Sequence, residues 1–74
     1  MRTWLYNLRT ANYLSASEMA KRLGISPAYY SLIERGERQK SMNIDLAAKI
    51  ANLAGIPISS VVMYEYYWEK EAEA

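Results

Sequence analysis

An all-α domain of about five short helices is the fold class that this sequence predicts. Three observations carry it. Apolar residues recur three and four positions apart through most of the chain, which is the spacing of one helix face. Ser15 with Glu18, and Ser26 with Pro27, are helix-start signals with a mechanism. In the first, each side chain satisfies a free backbone N–H of the opening turn. In the second, the serine caps, and proline at the first helical position loses no bond. Gly24, Gly36 and Gly55 follow these stretches, where a chain leaves a helix most easily through a left-handed residue.

The first segment, Arg2–Asn12, places Leu5 and Leu8 on one face, with Trp4 and Ala11 beside them. The second starts at Ser15, draws its apolar face from Met19, Ala20 and Leu23, and ends at Gly24. The third runs from Pro27 to Gly36, with Tyr30 and Ile33 turned inward. A polar, basic loop, "ERQKSMN", follows, and either Ser41 or Asn43 caps the fourth helix. Ile44, Ala47, Ile50, Ala51 and Ala54 form its stripe, and Gly55 stops it. Pro57 opens a fifth segment. Its stretch "VVMYEYYW" is ambiguous: β-branched and aromatic residues favour strand, whereas the start signal before it favours helix. Helix is expected to about Tyr64, and residues 65–68 stay open between the two. Neither a linker nor an internal repeat divides the sequence. Residues 1–74 are expected to form one domain, with an aromatic segment at 61–68 and an acidic tail at 69–74.

The 74 residues include no Cys and no His. That removes thiol and imidazole chemistry, disulfides and the usual zinc sites. There is no glycine-rich phosphate loop. No enzyme activity, cofactor, metal or small-molecule substrate is therefore expected. No apolar run approaches the ~20 residues that span a bilayer. Asn7, Arg9 and Thr10 interrupt the stretch in which a signal peptide would be continuously apolar. A cytoplasmic protein with no membrane partner is the expectation. Net charge is only +1, but its distribution is uneven. Residues 1–50 hold eight basic and four acidic side chains, against one and four in residues 51–74. Such a split sets a basic face for an anionic partner apart from an acidic end.

Ala20, Gly24, Ile25, Tyr30 and Ile33, together with "SLIERGER" and "LAAKIANLAGIPISSVV", resemble the Xre/Cro-type, lambda-repressor-like helix-turn-helix DNA-binding family over about residues 4–64. The resemblance implies a five-helix domain whose third helix lies in the major groove of double-stranded DNA, its first residues nearest the base edges. By position those are Ser26, Pro27, Ala28, Tyr29 and Leu32. It implies phosphate contacts from Ser15, Ala16 and Ser17 through backbone N–H groups at the start of helix 2. Arg38, Lys40 and Ser41 in the next loop are implied to grip the same strand. Arg9 and Glu34 correspond to positions that pair in family members, which implies a structural ion pair.

Many members carry Gln or Arg where this sequence has Ala16, Pro27, Ala28 and Leu32. A forked side chain bonds a base twice, for about 1–3 kcal/mol of discrimination, and these four residues cannot do so. Ser26, the Tyr29 ring and hydroxyl, and apolar contact with thymine methyls remain. Recognition is then expected to lean on T-rich steps, DNA shape and phosphate contacts. Tyr29 is either a DNA contact or plain surface, and Leu32 either a base contact or packing beside helix 2. Arg35, Arg38 and Lys40 are phosphate grips or a solvated face. A chain this small cannot hide all of Met63, Tyr64, Tyr66, Tyr67 and Trp68 in one core. Tyr66, Tyr67 and Trp68, with Val62 or Met63, are expected to form a homodimer contact; the alternative is that the rings fold over Trp4 and Leu5. The expected function is a sequence-specific DNA-binding transcriptional regulator, a phage- or mobile-element-type repressor acting as a homodimer. The alternative is a protein-interaction module on the same fold, an antirepressor or an antitoxin.

Overall fold

The computed structural model describes residues 1–73, with side chains to residue 71. The elements are α1 (Thr3–Ala11), α2 (Ala16–Leu23), α3 (Pro27–Arg35), α4 (Ile44–Ala54) and α5 (Ile58–Glu73). The chain has the all-α helix-turn-helix fold, with no strand among the described residues. Backbone contacts gather the helices into two compact units, Met1–Lys40 and a second from Ser41 onward. No single helix among the described residues is long and apolar enough to cross a membrane.

In the first unit, α2 begins with a reciprocal cap. The Glu18 N–H donates to Ser15 Oγ at 3.1 Å, and the Ser15 N–H donates to Glu18 Oε1 at 3.2 Å. Met19, Ala20 and Leu23 form its buried face. At the far end Gly24 takes φ 73°, and the N–H groups of Gly24 and Ile25 return to the carbonyls of Lys21 and Ala20. A Cβ at Gly24 would meet nothing within 4 Å, so the dihedral alone calls for glycine there, not lack of space. Ser26 then accepts from the Tyr29 N–H at 3.1 Å, and Pro27 opens α3. Tyr30 and Ile33 turn inward from α3, as Leu5 does from α1. Each fully buried large apolar side chain contributes roughly 1.5–3 kcal/mol. The end of α3 repeats the end of α2: Gly36 N–H bonds to the Ile33 carbonyl and Glu37 N–H to that of Leu32.

In the second unit, Asn43 rather than Ser41 caps α4, its Oδ1 accepting from the Leu46 N–H at 2.8 Å. Leu46, Ala47, Ile50 and Ala51 carry the buried face. Ile44, expected on that stripe, is 66% exposed. It sits in the first turn and lines an open groove of about 270 Å³ between α4 and α5 instead of a packed seam. α5 continues as helix through 65–68 and on to Glu73. Glu69, Lys70, Glu71 and Ala72 are good helix formers, and the Lys70 ammonium lies over the Tyr66 ring, one turn back, at 5.5 Å. Residues 69–73 of the expected acidic tail are thus helical backbone; Ala74, its last residue, lies outside the described residues. Val61 is buried on α5, while Val62, Met63, Tyr66 and Tyr67 are 50–59% exposed and Trp68 is half-buried.

Candidate nucleic-acid interface

The α2–Gly24–α3 turn leaves the start of α3 open to solvent. Ser26, Pro27 and Ala28 are exposed there, and Tyr29 and Leu32 are half-buried. The Tyr29 hydroxyl accepts from Gln39 Nε2 at 2.8 Å. As an acceptor in that bond, the phenol still carries a proton to donate. Ser26 Oγ serves as the cap of its own helix and retains its hydroxyl proton.

At the start of α2, Ser15 and Ser17 are exposed and Ala16 is half-buried. Backbone N–H groups at a helix start favour an anion. A carboxylate already stands there. Hydrogen bonds from the backbone of Ser15, then from its hydroxyl, hold Glu18 below the usual carboxylate range, with Arg22 adding to the effect. Glu18 is therefore fully anionic at neutral pH, at the same helix end that the family resemblance gives to a phosphate.

The loop after α3 carries Arg38 and Lys40, both exposed. Arg38 Nη1 donates to the Glu37 carbonyl at 3.2 Å. Arg35 is engaged with Glu37 at 2.9 Å, a solvated pair of the kind that contributes about 0–1 kcal/mol. Gln39, between the two loop cations, has φ 54°, a left-handed conformation uncommon for a residue with a side chain. In the second unit, the Ser41 hydroxyl donates to Glu69 Oε1 at 3.2 Å, which turns it toward a carboxylate rather than leaving it unengaged for a phosphate.

Two buried charged groups back α3. Arg9 Nε donates to Glu34 Oε1 at 3.0 Å and Nη2 to Oε2 at 3.5 Å, with the two side chains only 12% and 11% exposed. Arg9 Nη1 also bonds to the Leu14 carbonyl at 3.0 Å, and the Tyr30 hydroxyl donates to Glu34 Oε1 at 3.3 Å. Burial opposes the charge on Arg9, but the hydrogen bond and charge of Glu34 outweigh it and raise the guanidinium pKa. The second group, Arg2, is fully buried, and sequence patterning did not single it out. Its Nη1 donates to the carbonyls of Ile33 at 2.6 Å and Arg38 at 3.0 Å, its Nη2 donates to the Gln39 carbonyl, and its backbone N–H donates to the Glu34 carbonyl at 2.7 Å. A cation thus sits against the carbonyl end of α3, where the helix dipole favours it. These three acceptors are main-chain oxygens 31 to 37 residues away, which carry no residue-type signature in a sequence.

Residues 5–61 match a family model described as Helix-turn-helix. No curated protein and no solved structure matches the chain. The matched span covers α2, its glycine turn and α3 in full. With a capped, solvent-open third helix inside that span, the chain belongs to the Xre/lambda-repressor-like helix-turn-helix family of DNA-binding regulators.

Proposed function

We propose that the chain is a sequence-specific transcriptional regulator, a repressor of the phage or mobile-element type, acting in the cytoplasm as a homodimer on DNA. The observation that carries this is the open start of α3, with Ser26, Pro27 and Ala28 exposed behind a built helix-turn-helix. In this reading Ser26, Pro27, Ala28, Tyr29 and Leu32 face bases. The N–H groups of residues 15–17, with Arg38 and Lys40, hold phosphates and set the register. Ser41, bonded to Glu69, is the weakest member of that set. With no forked side chain at the first three positions, base discrimination is shallow and phosphate contact supplies most of the affinity.

Shallow discrimination makes one half-site weak, so two copies about one helical turn apart, ~34–36 Å, give useful affinity. The exposed Val62, Met63, Tyr66 and Tyr67 on α5 support a self-complementary contact there, with Trp68 beside them. The deciding experiment is a salt series of binding to random and genomic duplex fragments, with sedimentation of the free protein alongside. Affinity that falls steeply with salt and favours a subset of fragments supports a DNA regulator. Salt-insensitive or absent binding defeats it. A chain that stays monomeric at high micromolar concentration, or a dimer that survives Tyr67→Glu with Trp68→Glu, defeats the α5 seam. The apolar, exposed Pro27 and Ala28 favour one second reading, an antirepressor or antitoxin whose protein partner covers this helix.

A further inference from the structure

The loop that follows α3 is tied to the reading helix by two residues that face neither a base nor a phosphate in the proposed complex. Arg2, fully buried, collects the carbonyls of Arg38 and Gln39 from the loop and that of Ile33 from α3 on one guanidinium. Gln39 sends its amide back to the Tyr29 hydroxyl at 2.8 Å. The chain from Arg2 through the Gln39 backbone and side chain to Tyr29 is thus continuous. It joins the backbone between the exposed cations Arg38 and Lys40 to a ring at the start of α3.

Gln39 carries the clearest sign that this link has a purpose. At φ 54° an L side chain is strained, and glycine would sit there without penalty. What glycine could not supply is the amide on Tyr29. We propose that Arg2 and Gln39 are positioning residues that preset the Tyr29 ring and the Arg38–Lys40 backbone as one unit before DNA arrives. Side chains ordered in advance lose less freedom on binding, which matters most where base contacts are few. This inference rests on the DNA-binding reading above and adds how that surface is held.

Gln39→Gly separates positioning from the backbone turn, because it keeps the left-handed conformation while removing the side chain that carries the amide. The melting temperature should stay level or rise, while DNA affinity falls about fivefold, the effect of one hydrogen bond. In a Tyr29→Phe background the same substitution should have no further effect on affinity, since its partner is already gone. Gln39→Asn, which tolerates the left-handed turn but is one methylene short, should behave as Gln39→Gly. Arg2→Lys keeps the buried charge but loses the fork; it should weaken DNA binding with the salt slope unchanged. Without DNA, the ring signals of 13C-labelled Tyr29 should shift in Gln39→Gly. Unmoved Tyr29 signals, or a Gln39→Gly effect that persists in full in Tyr29→Phe, overturn the proposal. Wild-type protein that binds no DNA while the Tyr29 signals still shift overturns the DNA reading and with it the positioning role, leaving only a structural link.

Discussion

Glu34→Ala tests how the first unit is held together. The Glu34 carboxylate accepts from Arg9 Nε at 3.0 Å, from Arg9 Nη2 at 3.5 Å and from the Tyr30 hydroxyl at 3.3 Å. Both charged side chains are about nine-tenths covered, and Tyr30 is wholly buried. Truncation leaves the guanidinium against the Leu14 carbonyl with no carboxylate, and it takes an acceptor from a buried phenol. Breaking one side of a buried pair costs about 3–5 kcal/mol, and losing a buried acceptor costs about 1–3 kcal/mol. The two share one oxygen, so they do not add in full, and a net loss of about 4 kcal/mol is expected. For a domain of this size each kcal/mol moves the melting temperature by about 4–8 °C, so Tm should fall by roughly 15–30 °C. Thermal melts followed by far-ultraviolet circular dichroism measure this directly. Arg9→Met with Glu34→Leu removes both charges together and should recover much of the loss. A Tm drop of less than about 5 °C for Glu34→Ala, or a double variant no more stable than the single one, would show that the pair does not hold the fold.

Arg38→Ala or Lys40→Ala should weaken binding about equally on all duplex sequences and lower the salt slope by roughly one unit; an altered sequence preference at constant slope contradicts a phosphate role. Glu18→Gln preserves the reciprocal cap, because glutamine serves in it as well, but removes the anion at the start of α2. DNA affinity should rise about two- to fivefold, most clearly at low salt, and a loss of affinity in a gel-shift titration would place the phosphate elsewhere. Burial, then the charge of Glu34, pushes the Tyr30 hydroxyl well above its ordinary range. The native state therefore keeps a proton that the unfolded chain gives up. The stability this confers is full below about pH 10 and is lost as pH climbs above it. Alkaline melts should decline less steeply for Tyr30→Phe than for wild type, and parallel declines would refute the assignment.

Local chemistry was the legible part of the fold. The Ser15–Glu18 cap, the Ser26–Pro27 start and the helix ends at Gly24, Gly36 and Gly55 each depend on residues within five positions, and each is present. The choice between Ser41 and Asn43 was not legible, because both are good caps; contact between Ser41 and Glu69, 28 residues on, settles which is used for what. α5 was read short because β-branched and aromatic residues obscure a helix whose support comes from the charged residues after them. Ile44 was read as core because periodicity marks a face but not where the neighbouring helix ceases to cover it. At the candidate interface, the positions at the start of α3 follow from the motif, whereas the Arg2 and Gln39 bonds depend on main-chain oxygens and one phenol that only the folded chain brings near.

The start of α3 divides labour unevenly, and this bears on how the protein can change its target. Ser26 caps the helix, Pro27 initiates it, Tyr29 is bonded to Gln39, and Leu32 is half-covered. Ala28 is an exposed methyl in the first turn, and its truncated side chain has no such duty. In the proposed DNA complex, position 28 is therefore the open letter for operator preference, where Gln or Arg is compatible with the helix and would be offered to a base edge. The other four positions are written partly by the fold, so a lineage retargeting this scaffold should vary Ala28 first and leave its neighbours in place.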